Sequence, residues 1–141
     1  MARLNHINLP NYNVPQLTRF FEIGFGFRVV HQRCAGELDT AKLVVLTDPE
    51  QPSASRAHDP THGFILVLMH DKNVTDITYP AIFHVGFVLD SEQDVRDHYV
   101  RLNEAGFNPP APEIINRGGP KAYGFYCKAP GGVVVEVSTF V

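Results

Sequence analysis

The sequence predicts an α+β fold of two successive βαβββ modules. Three features point there. Two segments with helical apolar spacing, each closed by glycine, stand among short apolar runs of strand length. These elements follow the same order in both halves of the chain. Three of the apolar runs carry one ionisable residue near their middle: His6 in LNHINL, His84 in FHVGF and Glu136 in VVVEVS.

Residues 3–10 read as the first strand and 11–14 as a turn. A helix is expected over 15–23, where Pro15 suits a first turn and Leu17, Phe20 and Phe21 form an apolar face. Gly24 and Gly26 stop it. Strands are expected over 27–32, 42–47 and 64–70, and the stretch 48–63, with Pro49, Pro52 and Pro60, reads as a long loop. The second pass begins near Tyr79 with a strand over 81–90. Ser91 caps a helix over 92–105, whose apolar positions are Val95, Tyr99, Val100 and Leu102, and Gly106 ends it. NPPAP leads to a short strand at 114–116, and RGGPK is a loop. Strands over 123–128 and 133–139 flank the APGG turn. Setting His6 on His84 aligns LNHINL with IFHVGF, IGFGF (23–27) with NEAGF (103–107), and GFILVLM (63–69) with GVVVEVS (132–138). That alignment places Val67 opposite Glu136. We therefore expect one domain over 1–141, with modules at about 1–72 and 79–141.

The composition of the 141 residues, 44% hydrophobic and 19% charged, supplies a core without disulfide staples. A net charge of −3 with no basic stripe argues against nucleic acid as a partner. Cys34 and Cys127 make no disulfide framework and are expected to stay reduced, which places the protein in the cytoplasm. MARLNHINLP has no apolar core of a signal peptide, and no run approaches the roughly 18 apolar residues of a membrane span, so no membrane partner is expected. There is no GxSxG, no CxxC and no glycine-rich phosphate loop.

A polar group inside an apolar strand is costly unless it has a partner. Two imidazoles and a carboxylate are a common ligand set for a catalytic divalent metal: iron(II) in an oxygenase, and otherwise manganese, zinc or nickel. Strand alternation puts Glu136 on one face with Val134 and Ser138, opposite Val133, Val135 and Val137. Gly86 shares the face of His84 and leaves room there. The plainer alternatives are a carboxylate facing water and two hydrogen-bonded structural histidines. His58 and His62 stand four apart, but Pro60 between them removes the helical geometry that would give the spacing meaning. They read as loop residues, and His31, His70 and His98 as structural or surface groups.

The motifs LNHINLPN, FHVGFVLD and GFYCKAPGGVVVEVS, spread over nearly the whole chain, resemble the vicinal oxygen chelate superfamily. That superfamily holds glyoxalase I, bleomycin-resistance proteins, fosfomycin-resistance enzymes, methylmalonyl-CoA epimerase and extradiol dioxygenases. Pro130 and Gly132 match its characteristic ending, while Ala129 replaces the usual acid. The resemblance implies a curved mixed sheet built from the two modules. It implies metal ligands on the first and last strand of each module, here His6, Val67, His84 and Glu136. Valine cannot ligate, so the implied set is His6, His84 and Glu136, with positions left open for a substrate that chelates through adjacent oxygens. The resemblance further implies that Tyr126 reaches the substrate as a catalytic group. Asn8 and Ser138 are expected to line the cup, and Arg117 and Lys121 in NRGGPKAY to bind an anionic substrate at its mouth; a solvated loop is the alternative for the last two. GGPKAYG departs from the serine-rich loop of the fosfomycin enzymes, and YPAIFHV lacks the histidine pair of the extradiol enzymes. The implied function is a metal-dependent lyase, isomerase or ring-cleaving dioxygenase acting on a small molecule. The alternative is a bleomycin-resistance-like protein that sequesters a ligand without catalysis. A homodimer is also implied.

Overall fold

The computed structural model describes residues 5–34, 41–47, 64–70, 78–116 and 118–141. The chain divides into two compact units, Met1–Ile77 and Thr78–Val141, and each is described by itself.

In the first unit, β1 (His6–Pro10) leads into α1 (Val14–Phe25), followed by β2 (Arg28–Cys34), β3 (Ala41–Thr47) and β4 (Ile65–Met69). The link between β1 and α1 is a side-chain-built turn. Asn11 is fully buried, its Oδ1 accepts from the Asn13 amide at 2.6 Å, and its own amide donates to the Met69 carbonyl at 2.8 Å. α1 starts one residue before the expected Pro15 and runs two past Ile23, because Gly26, not Gly24, is the stop. Gly26 takes φ 69° and donates to the Glu22 carbonyl, while the Phe27 amide donates to the Phe21 carbonyl at 3.2 Å. This is the left-handed cap that glycine adopts without a side-chain clash. Leu17, Phe20 and Phe21 are fully buried, and Phe20 and Phe21 meet edge to face at 5.3 Å. They cover Leu46, Leu66 and Leu68 of the sheet, which are likewise buried.

The second unit repeats the plan with β5 (His84–Val88), α2 (Glu92–Glu104), β6 (Glu113–Ile115), β7 (Ala122–Lys128) and β8 (Val134–Phe140). Ser91 caps α2: its hydroxyl accepts from the Asp94 amide at 3.2 Å and donates to the Asp94 carboxylate at 2.6 Å. Val95 and Leu102 of α2 are fully buried, as are Val135 and Val137 of β8, and Tyr99 meets Phe125 of β7 edge to face at 6.1 Å. Tyr123 faces the helix side, where Arg96 lies 5.0 Å over its ring.

Each unit thus holds a four-stranded mixed sheet, ordered β1-β4-β3-β2 and β5-β8-β7-β6. In both, the first and last strands pair in parallel and the rest antiparallel. The registers coincide as well. His6 pairs with Ile65 and Asn8 with Val67, as His84 pairs with Val134 and Gly86 with Glu136. The alignment of His6 with His84 and of Val67 with Glu136 is therefore repeated in the ladders. One expected strand is shifted: β6 is Glu113–Ile115 rather than 114–116. The ladder pairs Ile115 with Ala122 and Glu113 with Gly124, so Glu113 and Ile115 share a face.

Gly124 carries the closest approach in the second sheet. A methyl group there would run into the Val137 carbonyl and lie 2.7 Å from both Cα and Cβ of Ser138. Gly124→Ala is expected to cost about 1–3 kcal/mol, since backbone must move. Ser91→Ala is expected to cost about 1 kcal/mol through the lost cap. Urea denaturation midpoints of the two variants check both values, and equal stability of Gly124→Ala and wild type would contradict the packing described.

Candidate functional site

The site is built on the face of the second sheet turned away from α2. Alternation along the strands puts Val133, Val135 and Val137 under the helix and leaves Val134, Glu136 and Ser138 on the other side. Register then fixes the neighbours of Glu136: Gly86 on β5 and Tyr126 on β7. His84 lies at the start of β5, one ladder step from Gly86 on the same face.

These side chains meet. His84 Nε2 lies 3.3 Å from Glu136 Oε2, and the His84 ring stands edge to face with Tyr126 at 5.6 Å. His84 Nδ1 lies 3.0 Å from the Ile82 carbonyl. A carbonyl only accepts, so Nδ1 carries a proton, and Nε2, when it carries none, turns a lone pair toward Glu136. Two acceptors at 3.3 Å repel each other unless a cation lies between them, either a proton on Nε2 or a metal ion. With bonds of about 2.0–2.2 Å to nitrogen and oxygen, adjacent ligands of one ion lie roughly 3.0–3.5 Å apart. The pair fits a divalent metal on both counts. Ser138 completes the arrangement: its hydroxyl donates to Glu136 Oε1 at 2.8 Å.

Although they interrupt apolar runs, none of the three ionisable residues is fully buried. His84 is 42% exposed and Glu136 18%, and His6 is exposed. Each stands on a sheet face that its helix does not cover, so water reaches all three, and Glu136 has the buried Ser138 hydroxyl besides. His6 belongs to the first unit, at the edge of its sheet, with Nδ1 3.1 Å from Asn5 Oδ1. Among the described residues, no group of three or more His, Cys, Asp or Glu side chains gathers to hold a metal ion. The second unit by itself brings two such side chains together, His84 and Glu136.

The other expected residues fall as follows. Asn8 is exposed on β1, beside Val67, with its amide 3.9 Å from Met69 Sδ. Ser138 is buried rather than open to a ligand, at 3% exposure. Lys121 is exposed just before β7. Arg117, His58 and His62 lie outside the described residues. His31 is exposed on β2, and His70 is half-buried just after β4. His98 packs along α2, its Nδ1 3.0 Å from the Asp94 carbonyl, and burial lowers its pKa. No helix among the described residues is long and apolar enough to cross a membrane.

Two contributors were missed by the sequence reading. The Ile82 carbonyl that orients His84 is a backbone group, invisible to residue-type reasoning. Glu113 lines an open cleft of about 460 Å³ with Ile115, Asn116, Gly124 and Tyr126. The one-residue shift of β6 hid it, since a strand of three residues carries too little alternation to mark its own start. Tyr126, one of the residues lining the cleft, itself lies beside Glu136 in the ladder.

A model of the Glyoxalase/Bleomycin resistance protein/Dioxygenase superfamily matches residues 3–137. Curated proteins yield no match. Among solved structures, a possible glyoxalase from Bacillus cereus is 32% identical, with 97% of this chain and 98% of that one covered and a TM-score of 0.68. A fosfomycin resistance protein, FosX from Mesorhizobium loti, is 14% identical over 97% of this chain and 90% of its own, with a TM-score of 0.66. A lactoylglutathione lyase from Agrobacterium tumefaciens is 17% identical over 99% and 94%, with a TM-score of 0.60. The last two likenesses show the fold alone.

Cys127 is no part of this chemistry. It is buried on the helix side of β7, and burial pushes its thiol up to about 11, so the nucleophilic thiolate is scarce near neutral pH. Iodoacetamide at pH 8 is expected to leave Cys127 unmodified in the folded protein and to alkylate it in urea. Peptide mass spectrometry checks this, and rapid native labelling would contradict the burial.

Proposed function

This chain belongs to the Glyoxalase/Bleomycin resistance protein/Dioxygenase superfamily, and from that premise we propose that it is a metal-dependent enzyme acting on a small molecule that chelates the metal through adjacent oxygens. The observation that carries the reading is the pair formed by His84 Nε2 and Glu136 Oε2 at 3.3 Å, each anchored from behind, one by the Ile82 carbonyl and the other by Ser138. In this reading His84 and Glu136 hold one divalent ion, of iron, manganese, zinc or nickel. His6 would be the third ligand, as the family resemblance implies, and a homodimer belongs to the same reading. Val67, at the register position equivalent to Glu136, contributes no ligand and leaves the coordination sphere open.

The bound ion would act as a Lewis acid toward the chelating oxygens. The rest of the chemistry falls to side chains. Tyr126, edge to face with His84, is placed to hand a proton to a substrate oxygen or take one from it at its phenol. The cleft that Tyr126 helps to line receives the body of the substrate, with Ile115 giving apolar contact and Glu113 and Asn116 giving polar contact. Asn8, Arg117 and Lys121 are assigned to binding the substrate's outer groups. Family members named for lactoylglutathione lysis and for fosfomycin resistance share this fold, and their divergence leaves lyase, isomerase and ring-cleaving chemistry as candidates for this protein. We place it in the cytoplasm.

Metal analysis of protein purified without added metal tests the proposal. Wild type is expected to carry or take up one ion per site with micromolar affinity or better. Glu136→Ala and His84→Ala are expected to lose it while melting near the wild-type temperature. A wild-type protein that binds no metal supports ligand sequestration without catalysis and overturns the enzyme reading. Once a substrate is found by screening catechols and 2-oxoaldehydes, Tyr126→Phe is expected to lower kcat by about 10²-fold or more with metal content unchanged.

A further inference from the structure

We propose that Ser138 is the positioning residue of the site: it holds Glu136 Oε1, so that Oε2 alone is presented beside His84 Nε2. The inference rests on the metal-binding reading above and assigns Ser138 a task other than substrate contact.

Ser138 follows Glu136 by two residues on β8, so both side chains stand on the same face. Its hydroxyl is 2.8 Å from Oε1, a distance suited to a hydrogen bond donated to a carboxylate. At 3% exposure it has little water to bond instead. Its position is set from both sides of the strand. On one side its carbonyl accepts from the Leu89 amide at 2.8 Å. On the other, Gly124 of β7 presses so close that a Cβ at 124 would lie 2.7 Å from the Ser138 Cα and Cβ. The donor is therefore fixed by backbone, and it fixes a carboxylate whose terminal torsion is otherwise broad and roughly two-fold.

The consequence is a division of labour between the two carboxylate oxygens. Oε1 is occupied by the hydroxyl, and Oε2 is turned to His84. A carboxylate so held offers a metal one oxygen and one direction. The first unit supplies an internal comparison. There the positions equivalent by register are Val67 and Met69, paired with Asn8 and Pro10 as Glu136 and Ser138 are with Gly86 and Val88. Where the strand carries no carboxylate, the position two residues on carries no hydroxyl.

Cobalt(II) binding to Ser138→Ala, Ser138→Thr and wild type tests this, read both as a dissociation constant by chelator competition and as the visible absorption spectrum. Ser138→Ala is expected to bind about 10- to 100-fold more weakly and to show an altered spectrum, because the second oxygen is released. Ser138→Thr, which keeps the hydroxyl, is expected to restore both. Melting curves of the metal-free proteins separate binding from folding. If Ser138→Ala does not fold, Ser138→Cys, with a weak donor in its place, is measured against the same two outcomes. A Ser138→Ala protein with wild-type affinity and spectrum overturns the inference and leaves the metal reading standing. Equal weakening by Ala and Thr overturns it as well, since loss of packing would then be the cause. A wild-type protein that binds no cobalt(II) overturns the metal reading itself, and this inference with it.

Discussion

The parallel pairing of the first and last strand in each module is the constraint on which the rest depends. A parallel pair needs a long crossover, and here the helix and two intervening strands supply it in both units. The crossover lays the helix on one face of the sheet and leaves the other face without a helix. The register within the pair then decides which side chains become neighbours on the open face. In the second unit it sets Gly86 beside Glu136, and with β7 it adds Tyr126. A slip of one residue in β8 would send Glu136 under α2 among the buried valines. The fully buried Val133, Val135 and Val137 oppose that slip, so the apolar face of the strand secures the polar one.

The open face has its own electrostatic logic. A carboxylate at 18% exposure keeps some contact with water and gains a hydroxyl donor. Its histidine partner is more exposed and is turned by a backbone carbonyl, which fixes the tautomer. Both groups are oriented by polar atoms of the protein itself, the Ile82 carbonyl and the Ser138 hydroxyl. Such support lets a sparse site keep its geometry on a sheet face open to solvent.

Much of this was legible in residue order. The helix faces, the glycine stops, the Ser91 cap and the repeat of elements all follow from local rules of spacing and capping, and those rules hold here because each agrees with the packing. The misplacements also have physical causes. α1 outran its expected end because Gly24 is tolerated inside a helix, whereas Gly26 is needed outside it at positive φ. β6 was read one residue late because a three-residue strand has too little alternation to mark its own start. His6 and His84 stand outside the core although their flanking residues are apolar. Alternation leaves half of such a strand uncovered when only one face carries a helix.

By itself the sequence determined the element order, the duplicated module and the identities of His6, His84 and Glu136 as its unusual residues. These are properties of periodicity and residue type, and both are local. Tertiary structure decided the rest: that His84 faces Glu136 at 3.3 Å, that the Ile82 carbonyl orients the first and Ser138 the second, and that Glu113 lines a cleft together with Tyr126. Residues 84 and 136 are brought together only by strand register, and register is set by the packing of a whole face. No single residue records it.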